Sequence, residues 1–209
     1  RMVYNYVDGN PSYSFQGGDA IYEDVNHDGQ INALDVVYLG NCLPKLSGGF
    51  NISFDYGRWN LKARFMYRYG NKVINQARMT LESMSTAYNQ ASSVNWRWRK
   101  DGDETLMPRA IYVYNDNSAY NYQGSSRYVE DGSFLRFQNL QVGYNFDPKE
   151  LKKYGLNRLQ FYVTANNLFC WTRYSGVDPE ISIGGWGQAI DKSQTPRAKS
   201  FTANINIGF

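Results

Sequence analysis

Apolar and polar residues alternate over residues 49–69, with one interruption at Gly57. A period of two residues is the pattern of a β-strand, and a glycine between two such runs signals a tight turn. The stretch therefore predicts a β-hairpin with two strands of about 9–12 residues each. The apolar side of this hairpin consists of Phe50, Ile52, Phe54, Tyr56, Trp59, Leu61, Ala63, Phe65, Tyr67 and Tyr69.

The same alternation returns in three later segments, so the pattern predicts five β-strands. The later segments are 134–146, 159–166 and 200–209. Residues 72–84 are rich in helix-forming side chains and predict a short helix. The remainder of 70–133, together with 170–196, shows no sustained period and predicts long irregular loops. Loops of this length are usually functional when they occur in a compact domain.

One irregularity lies inside the third predicted strand. Leu135 and Phe137 are out of step with Leu140 and Val142, which follow them. A β-bulge adds one residue to a strand, and the added residue shifts the side chains beyond it to the opposite face. The sequence therefore predicts either a bulge near Gln138–Asn139 or a change in the environment of the strand at this point.

The connections between the five predicted strands alternate between short and long. Transmembrane β-barrels have this asymmetry, with short periplasmic turns and long extracellular loops, and their strands need ~9–11 residues to cross a bilayer. A soluble antiparallel β-sandwich with its apolar face packed inward gives the same alternation of side chains. Aromatic residues near strand ends on the apolar side, such as Trp59 and Tyr144, favour the barrel, because aromatic belts mark membrane interfaces.

Composition excludes several classes of protein. The 209 residues include 22 Lys and Arg against 19 Asp and Glu, and a net charge of +3 without a basic block argues against nucleic-acid binding. A single His, at position 27, and the lack of phosphate-loop or dinucleotide motifs lead us to expect no enzyme activity. Glycosidases use a pair of carboxylates, and the acidic pairs Glu130–Asp131 and Asp178–Glu180 are of this residue type. Acids in loops are, however, more often turn residues that form hydrogen bonds.

A calcium-type loop is the most specific local motif. Residues 24–35 match the EF-hand pattern of acidic and amide side chains around a central glycine, here Gly29. Calcium prefers about six to eight oxygen ligands. The predicted ligands are Asp24, Asn26, Asp28, the backbone carbonyl of Gln30, and Asp35. The alternative is a turn held by hydrogen bonds of its own side chains, without an ion.

Four stretches of the chain carry a recognisable family pattern. They cover residues 18–75, 125–146, 157–180 and 197–209, and include GDAIYEDVNHDGQINALDVVYLGNCLPKLSGGF from residue 18 and NRLQFYVTANNLF from residue 157. As a set they resemble the C-terminal part of SusC/RagA-type TonB-dependent outer-membrane transporters. The segments between them match weakly, as variable loops do.

The resemblance implies an all-β fold, in which this chain forms the C-terminal five antiparallel strands of a barrel of about 22 strands with long extracellular loops. It also implies import of a large nutrient, an oligosaccharide or peptide, through the cell outer membrane with energy from TonB. The implied partners are the rest of the barrel with its plug, a SusD-like surface lipoprotein, membrane lipid, and TonB through an N-terminal segment absent here. Phe209 resembles the terminal aromatic signal for barrel assembly, at a periplasmic C-terminus.

These expectations divide the chain into six segments. Extracellular loops are predicted at 1–47, which holds the calcium-type motif, at 70–133 and at 170–196, and barrel strands at 48–69, 134–169 and 197–209. The alternative function is a soluble secreted β-rich module that binds calcium or carbohydrate.

Two sets of side chains are candidates for contact with a substrate or partner. Tryptophans in the predicted extracellular loops offer rings for stacking on sugars or partner proteins: Trp96, Trp98, Trp171 and Trp186. The polar side of the first hairpin carries a basic stripe of Arg58, Lys62, Arg64 and Arg68. This stripe is predicted either to contact the plug or an anionic substrate or, as the simpler alternative, to pair with acids of neighbouring strands.

Overall fold

The computed structural model describes residues 5–6, 13–14, 16–85, 87–111, 120–183 and 189–209. The strands in these ranges are β1 (Asn5–Tyr6), β2 (Tyr13–Ser14), β3 (Leu46–Tyr56), β4 (Trp59–Tyr69), β5 (Lys72–Asn75), β6 (Val129–Asp131), β7 (Phe134–Asn145), β8 (Arg158–Thr172), β9 (Ile190–Asp191) and β10 (Ser200–Gly208). The α-helices are α1 (Gln76–Leu81) and α2 (Pro148–Leu151). Short 3-10 helices lie at Ala33–Asp35, Ser92–Trp96, Tyr120–Tyr122, Ser126–Tyr128 and Lys152–Tyr154.

The five long strands form one antiparallel sheet in the order β10-β8-β7-β4-β3. β3 and β4 pair along their whole length, from Leu46 with Tyr69 to Tyr56 with Trp59, around a turn at Gly57. Gly57 has a φ of 58°, a left-handed conformation that glycine adopts without steric cost. The all-β fold with five antiparallel strands is therefore as the alternation predicted.

The two faces of this sheet differ in chemistry. One face collects the apolar positions of all five strands, because paired residues lie on the same side of an antiparallel sheet. Large side chains on this face stay exposed, including Phe50, Ile52, Phe54, Trp59, Phe161, Phe169, Phe201, Ile205 and Ile207. Phe65 stacks between Phe50 and Phe137, with ring centroids 4.8 and 4.6 Å apart. The apolar face therefore forms a continuous surface that water solvates poorly.

β7 carries the bulge that the sequence predicts. Arg64 of β4 pairs with Asn139, and its neighbour Phe65 pairs with Phe137, so Gln138 is the extra residue. The register between β7 and β8 shifts at the same place. The bulge brings the apolar residues on its two sides to the same face of the sheet, which explains the change of step in the sequence.

β8 is longer than its alternation suggests. The strand extends through Thr172, whereas the alternation ends at residue 166 and the predicted barrel segment at residue 169. The additional residues pair with the beginning of β7, where Phe134 is the partner of Thr172 and Leu135 the partner of Trp171. The available hydrogen-bonding edge of β7, which is a tertiary feature, sets the length of β8.

The helix predicted at residues 72–84 is shorter than expected. The segment begins as strand β5, and α1 occupies only Gln76–Leu81. Asn75 is the last residue of β5, and its side chain accepts a hydrogen bond from the backbone N–H of Arg78 and so caps the helix.

The chain divides into two compact units. The first comprises Arg1–Gly40 and Ile74–Glu130, and the second comprises Asn41–Val73 and Asp131–Phe209. A buried cluster of the first unit consists of Met84, Val94 and Met107. The second unit contains the large sheet and a buried cluster of Val73, Tyr174, Ile181 and Ala189.

Two smaller sheets complete the strand pairing. β1 and β2 form a two-stranded antiparallel ribbon, and β6, β5 and β9 form a three-stranded sheet in that order. Across the described ranges, no helix has the length and apolar character needed to cross a membrane.

Candidate functional site

The calcium-type loop of the first unit is held by hydrogen bonds from its own backbone. The Asp24 carboxylate accepts hydrogen bonds from the backbone N–H groups of Asp28 (3.2 Å) and Gly29 (2.9 Å). The Asp28 carboxylate accepts one from the backbone N–H of Gln30 at 2.8 Å. Gly29 has a φ of 80°, and no atom lies within 4 Å of the position of a Cβ. Backbone conformation, rather than space, therefore favours glycine here.

Asp35, at the twelfth position of the motif, closes this loop. Its carboxylate accepts hydrogen bonds from the backbone N–H groups of Asn32 (2.8 Å) and Val25 (2.9 Å). These hydrogen bonds, that from Asn32 first, hold the pKa of the Asp35 carboxyl below its usual range. Because the pKa of Asp35 is lower in the folded loop than in the unfolded chain, the ionised carboxylate stabilises the folded loop. This stabilisation is present above the pKa of an unfolded Asp and is lost as the pH falls through the pKa of the folded state.

The donors of this loop suit calcium in type, since they are carboxylate, amide and carbonyl oxygens. Each carboxylate oxygen that accepts one N–H keeps a second lone pair for a ligand. Within the part of the chain that the structure describes, no group of three or more His, Cys, Asp or Glu side chains lies close enough together to hold a metal ion. The hydrogen bonds are also those of an ion-free turn. Calcium binding therefore stays a prediction.

The Asp28→Ala substitution tests this prediction. If the loop binds calcium, added calcium raises the Tm of the full-length protein, because a ligand that binds only the folded state stabilises it. We expect Asp28→Ala to abolish that shift. The matched control is Glu23→Ala, which removes an exposed carboxylate next to the loop and outside its ligand positions. A calcium-dependent shift that persists in Asp28→Ala contradicts the ligand assignment, and its absence in the unaltered protein supports the ion-free turn.

The predicted tryptophan contacts lie in different environments. Trp96 ends a 3-10 helix of the first unit and is 78% exposed. Trp98 covers the backbone of Gly18, where a Cβ would stand 2.3 Å from the ring, so this ring is occupied by packing. Trp171 lies in β8, on the exposed apolar face, and not in the loop that the sequence suggests. Trp186 lies outside the described residues. Trp96 therefore presents the most accessible ring of the three.

The basic stripe lies on the polar side of the first hairpin, as the alternation predicts. Arg58, next to the turn, forms an ion pair with Asp147. Arg64 donates from Nε to Oδ1 of Asn51 on the neighbouring strand at 3.1 Å. Arg68 donates to a backbone carbonyl at 3.2 Å.

Pairing with acids accounts for only one member of this stripe. Among the residues that the structure describes, no carboxylate lies within 4.0 Å of the charged groups of Lys62, Arg64 or Arg68. The simpler alternative, a polar wall neutralised by acids on neighbouring strands, therefore describes Arg58 and leaves three cations without a carboxylate.

A buried ion-pair cluster on the polar face of β7 is absent from the sequence-based expectations. Arg136 is only 4% exposed and contacts the carboxylates of Asp178 and Glu180. Arg197 contacts the second carboxylate as well. Asp178 also accepts a hydrogen bond from the backbone N–H of Glu180 at 2.9 Å. These acids therefore hold a loop to the sheet, and the signal that could have found them is an arginine on a strand whose neighbours are uncharged.

Phe209 follows directly after β10, which ends at Gly208, and its side chain is 87% exposed. Its position in the alternation places it on the same side as Ile207. The role of this aromatic residue as an assembly signal stays a prediction.

Comparison with known proteins gives a consistent result, although no model of a protein family matches the chain. A TonB-dependent receptor of Formosa agariphila is 32% identical over 202 residues, which are 93% of this chain and 19% of that protein. Over most of its length, this chain resembles TonB-dependent receptors. The SusC receptor of Bacteroides thetaiotaomicron is 31% identical over 86 residues, which are 41% of this chain and 8% of that receptor.

Solved structures support the same resemblance. The RagAB peptide importer in its open-open and closed-closed states matches with TM-scores of 0.71 and 0.72, at 26% identity over 87% of this chain. The five-stranded antiparallel sheet matches part of the barrel of a TonB-dependent transporter. The chain spans 19% of the matched importer chain. The SusC/RagA-type resemblance that the motifs indicate is therefore confirmed.

Proposed function

We propose that this chain is the C-terminal barrel segment of a TonB-dependent transporter, which imports a large nutrient, an oligosaccharide or a peptide, through the outer membrane. One observation carries the proposal: a continuous apolar sheet face stays exposed in a chain that resembles TonB-dependent receptors over 93% of its length. Lipid is the environment in which such a face is stable, because burial of apolar surface against acyl chains removes it from water.

The dimensions of the sheet support a position in a bilayer. β3 and β4 have 11 residues each and β7 has 12, whereas a tilted strand needs ~9–11 residues to cross. Trp59, Tyr144 and Phe146 gather near the strand ends, with Trp59 and Tyr144 ring centroids 4.9 Å apart. Aromatic side chains of this kind suit the boundary between lipid and water. The short connections then face the periplasm, together with the C-terminus, and the long connections face the exterior.

The polar face of the sheet lines the aqueous interior in this proposal. A soluble secreted module that binds calcium or carbohydrate is less well supported, because it would have to cover the apolar face with another layer of protein. The calcium-type loop precedes β3 and so belongs to the exterior connections, where it would fix the shape of a loop.

We infer the partners from the same resemblance. The remainder of the polypeptide supplies the other barrel strands and the plug, and lipid surrounds the apolar face. TonB transmits energy through a segment outside this chain. A SusD-like lipoprotein covers the exterior mouth, and the match to the RagAB peptide importer supports this partner.

Fractionation and uptake measurements on cells that make the full-length transporter test the proposal. We expect the protein to remain in the outer-membrane pellet after an alkaline wash, because strands in lipid resist extraction. Deletion of its gene, and separately of TonB, is expected to abolish uptake of the nutrient. Recovery of the protein in the soluble fraction contradicts the membrane position, and uptake that persists without TonB contradicts the energy source.

A further inference from the structure

The polar face of the sheet carries an excess of positive charge. Its strand positions hold the cations Lys62, Arg64, Arg68, Arg136 and Arg158 and a single carboxylate, Asp55. Arg136 is compensated by the acids of its buried cluster. Among the described residues, Lys62, Arg64 and Arg68 have no carboxylate within 4.0 Å. A wall that carries charge of one sign raises the local concentration of solutes of the opposite sign.

Two of these cations border the same cleft. Arg64 and Arg68 lie at its sides, and the cleft has a volume of about 490 Å³. Pro44 and Ile183, which also line the cleft, belong to connections and not to the five long strands. The cleft therefore lies toward the end of the sheet with the long connections, which is the exterior end in the proposed function.

Glycine keeps the centre of this cleft open. Gly49 lies on the polar face opposite Met66, between the two arginines. A Cβ at position 49 would stand 2.8 Å from the backbone oxygen of Phe65, a contact that requires the backbone to shift. The absence of a side chain is therefore built into the strand pairing, and it leaves room above β3 for a ligand.

Among the residues that the structure describes, both guanidinium groups have hydrogen-bond donors to spare. Arg64 uses Nε for Asn51, and Arg68 uses one N–H for the backbone carbonyl of Ile181. A guanidinium carries about five N–H donors, and its planar fork matches the two oxygens of a carboxylate. Arg68 also lies 5.6 Å from the centroid of the Phe134 ring, a contact that holds its position while leaving its edge open.

We propose that this cleft binds the carboxylates of an oligopeptide cargo. The inference rests on the proposed import function and specifies its substrate. Every free peptide ends in a carboxylate and many carry acidic side chains, whereas a neutral sugar has neither. Arg64 and Arg68 are four positions apart on β4, or ~13 Å along a strand. An extended peptide has the same rise, so two carboxylates four positions apart reach both arginines.

Matched peptides test the cleft in the full-length transporter. The first probe is a short Gly/Ser peptide with two glutamates four positions apart, and the second replaces both by glutamine and amidates the C-terminus. We expect the unaltered transporter to bind the first peptide at least tenfold more tightly, and the Arg64→Gln/Arg68→Gln variant to lose this preference. The preference should also decrease as salt is added, because the cations are accessible to solvent.

The matched control is Lys62→Gln, which removes a cation from the same strand and the same face but outside the cleft. We expect this variant to keep the preference and Arg64→Lys/Arg68→Lys to recover part of it. Immunoblots of outer membranes show whether each variant is inserted. If Lys62→Gln loses the preference for the acidic peptide to the same extent, the effect comes from the general charge of the polar face, and the assignment of the cleft as the binding site is wrong.

The remaining outcomes separate this inference from the proposed function. Equal binding of the two peptides by the unaltered transporter overturns the carboxylate site and leaves import intact. Uptake of oligogalacturonate, without uptake of either peptide, overturns the peptide assignment in favour of an acidic sugar. Peptide uptake that is unchanged after deletion of the gene overturns the peptide cargo, whereas recovery of the protein in the soluble fraction overturns the proposed function itself.

Discussion

If the chain has the proposed function, the Val163→Arg variant of the full-length protein is expected to be almost absent from the outer membrane. Val163 lies in the middle of β8, on the apolar face, where it pairs with Val142 and Ala203 and is 39% exposed. A charged side chain on the lipid face near the bilayer midplane costs ~2–4 kcal/mol. This penalty is a large part of the stability of a typical protein, so assembly into the membrane should fail.

Thr164→Arg is the control for this experiment. Thr164 is the next residue of the same strand, and it points to the polar face, where its partners Gln141 and Thr202 are uncharged. We expect this variant to insert at nearly normal levels, as judged by outer-membrane immunoblots and by the mobility shift between unheated and boiled samples. If the two variants behave in the opposite way, the sheet faces lipid with its polar side and the proposed orientation is wrong.

The Arg136→Met variant is expected to lose about 3–5 kcal/mol of stability, because it leaves the largely buried carboxylates of Asp178 and Glu180 without their main cation. Methionine keeps most of the volume of the arginine side chain, so the loss of stability measures the removal of the charge more than a change in packing. The measurement is thermal or chemical unfolding of the full-length protein in detergent.

Two further variants separate charge from packing. Arg197→Met removes the outer cation of the cluster, which is 48% exposed, and should cost no more than about 1 kcal/mol. Asp178→Asn in the Arg136→Met background should restore part of the lost stability, because it removes one of the uncompensated charges. If Arg136→Met is no more costly than Arg197→Met, the cluster does not anchor the loop to the sheet.

Much of the sheet follows from the sequence because a strand with two different faces must alternate. Each of Phe50, Ile52 and Phe54 has its polar neighbour, and a glycine at position 57 allows the turn. The bulge at Gln138 is also predictable, since an extra residue changes the step of the alternation. These features depend on residues that are close together in the chain, so they can be read locally.

Other features depend on partners that are distant in the chain. The Arg136 cluster joins residues 42 positions apart, and no local sequence pattern predicts this contact. The sequence suggests that Trp98 is an exposed loop residue, but Gly18, which has no side chain, provides a packing surface for its ring. The end of β8 depends on the edge of β7. Local patterns therefore predict the strands of this protein better than they predict its loops and its sites.

The extra residue in β7 has a consequence for how this strand can vary in evolution. Deletion of Gln138 alone would join Phe137 directly to Asn139, whose partners Phe65 and Arg64 are already adjacent, so the bulge would disappear and Phe137 would keep its face. A single insertion or deletion elsewhere in the strand would instead move the residues on one side of it to the opposite face. A lineage can therefore lose one residue of β7 at the bulge without exchanging the two faces, but elsewhere in the strand it can change the number of residues only two at a time.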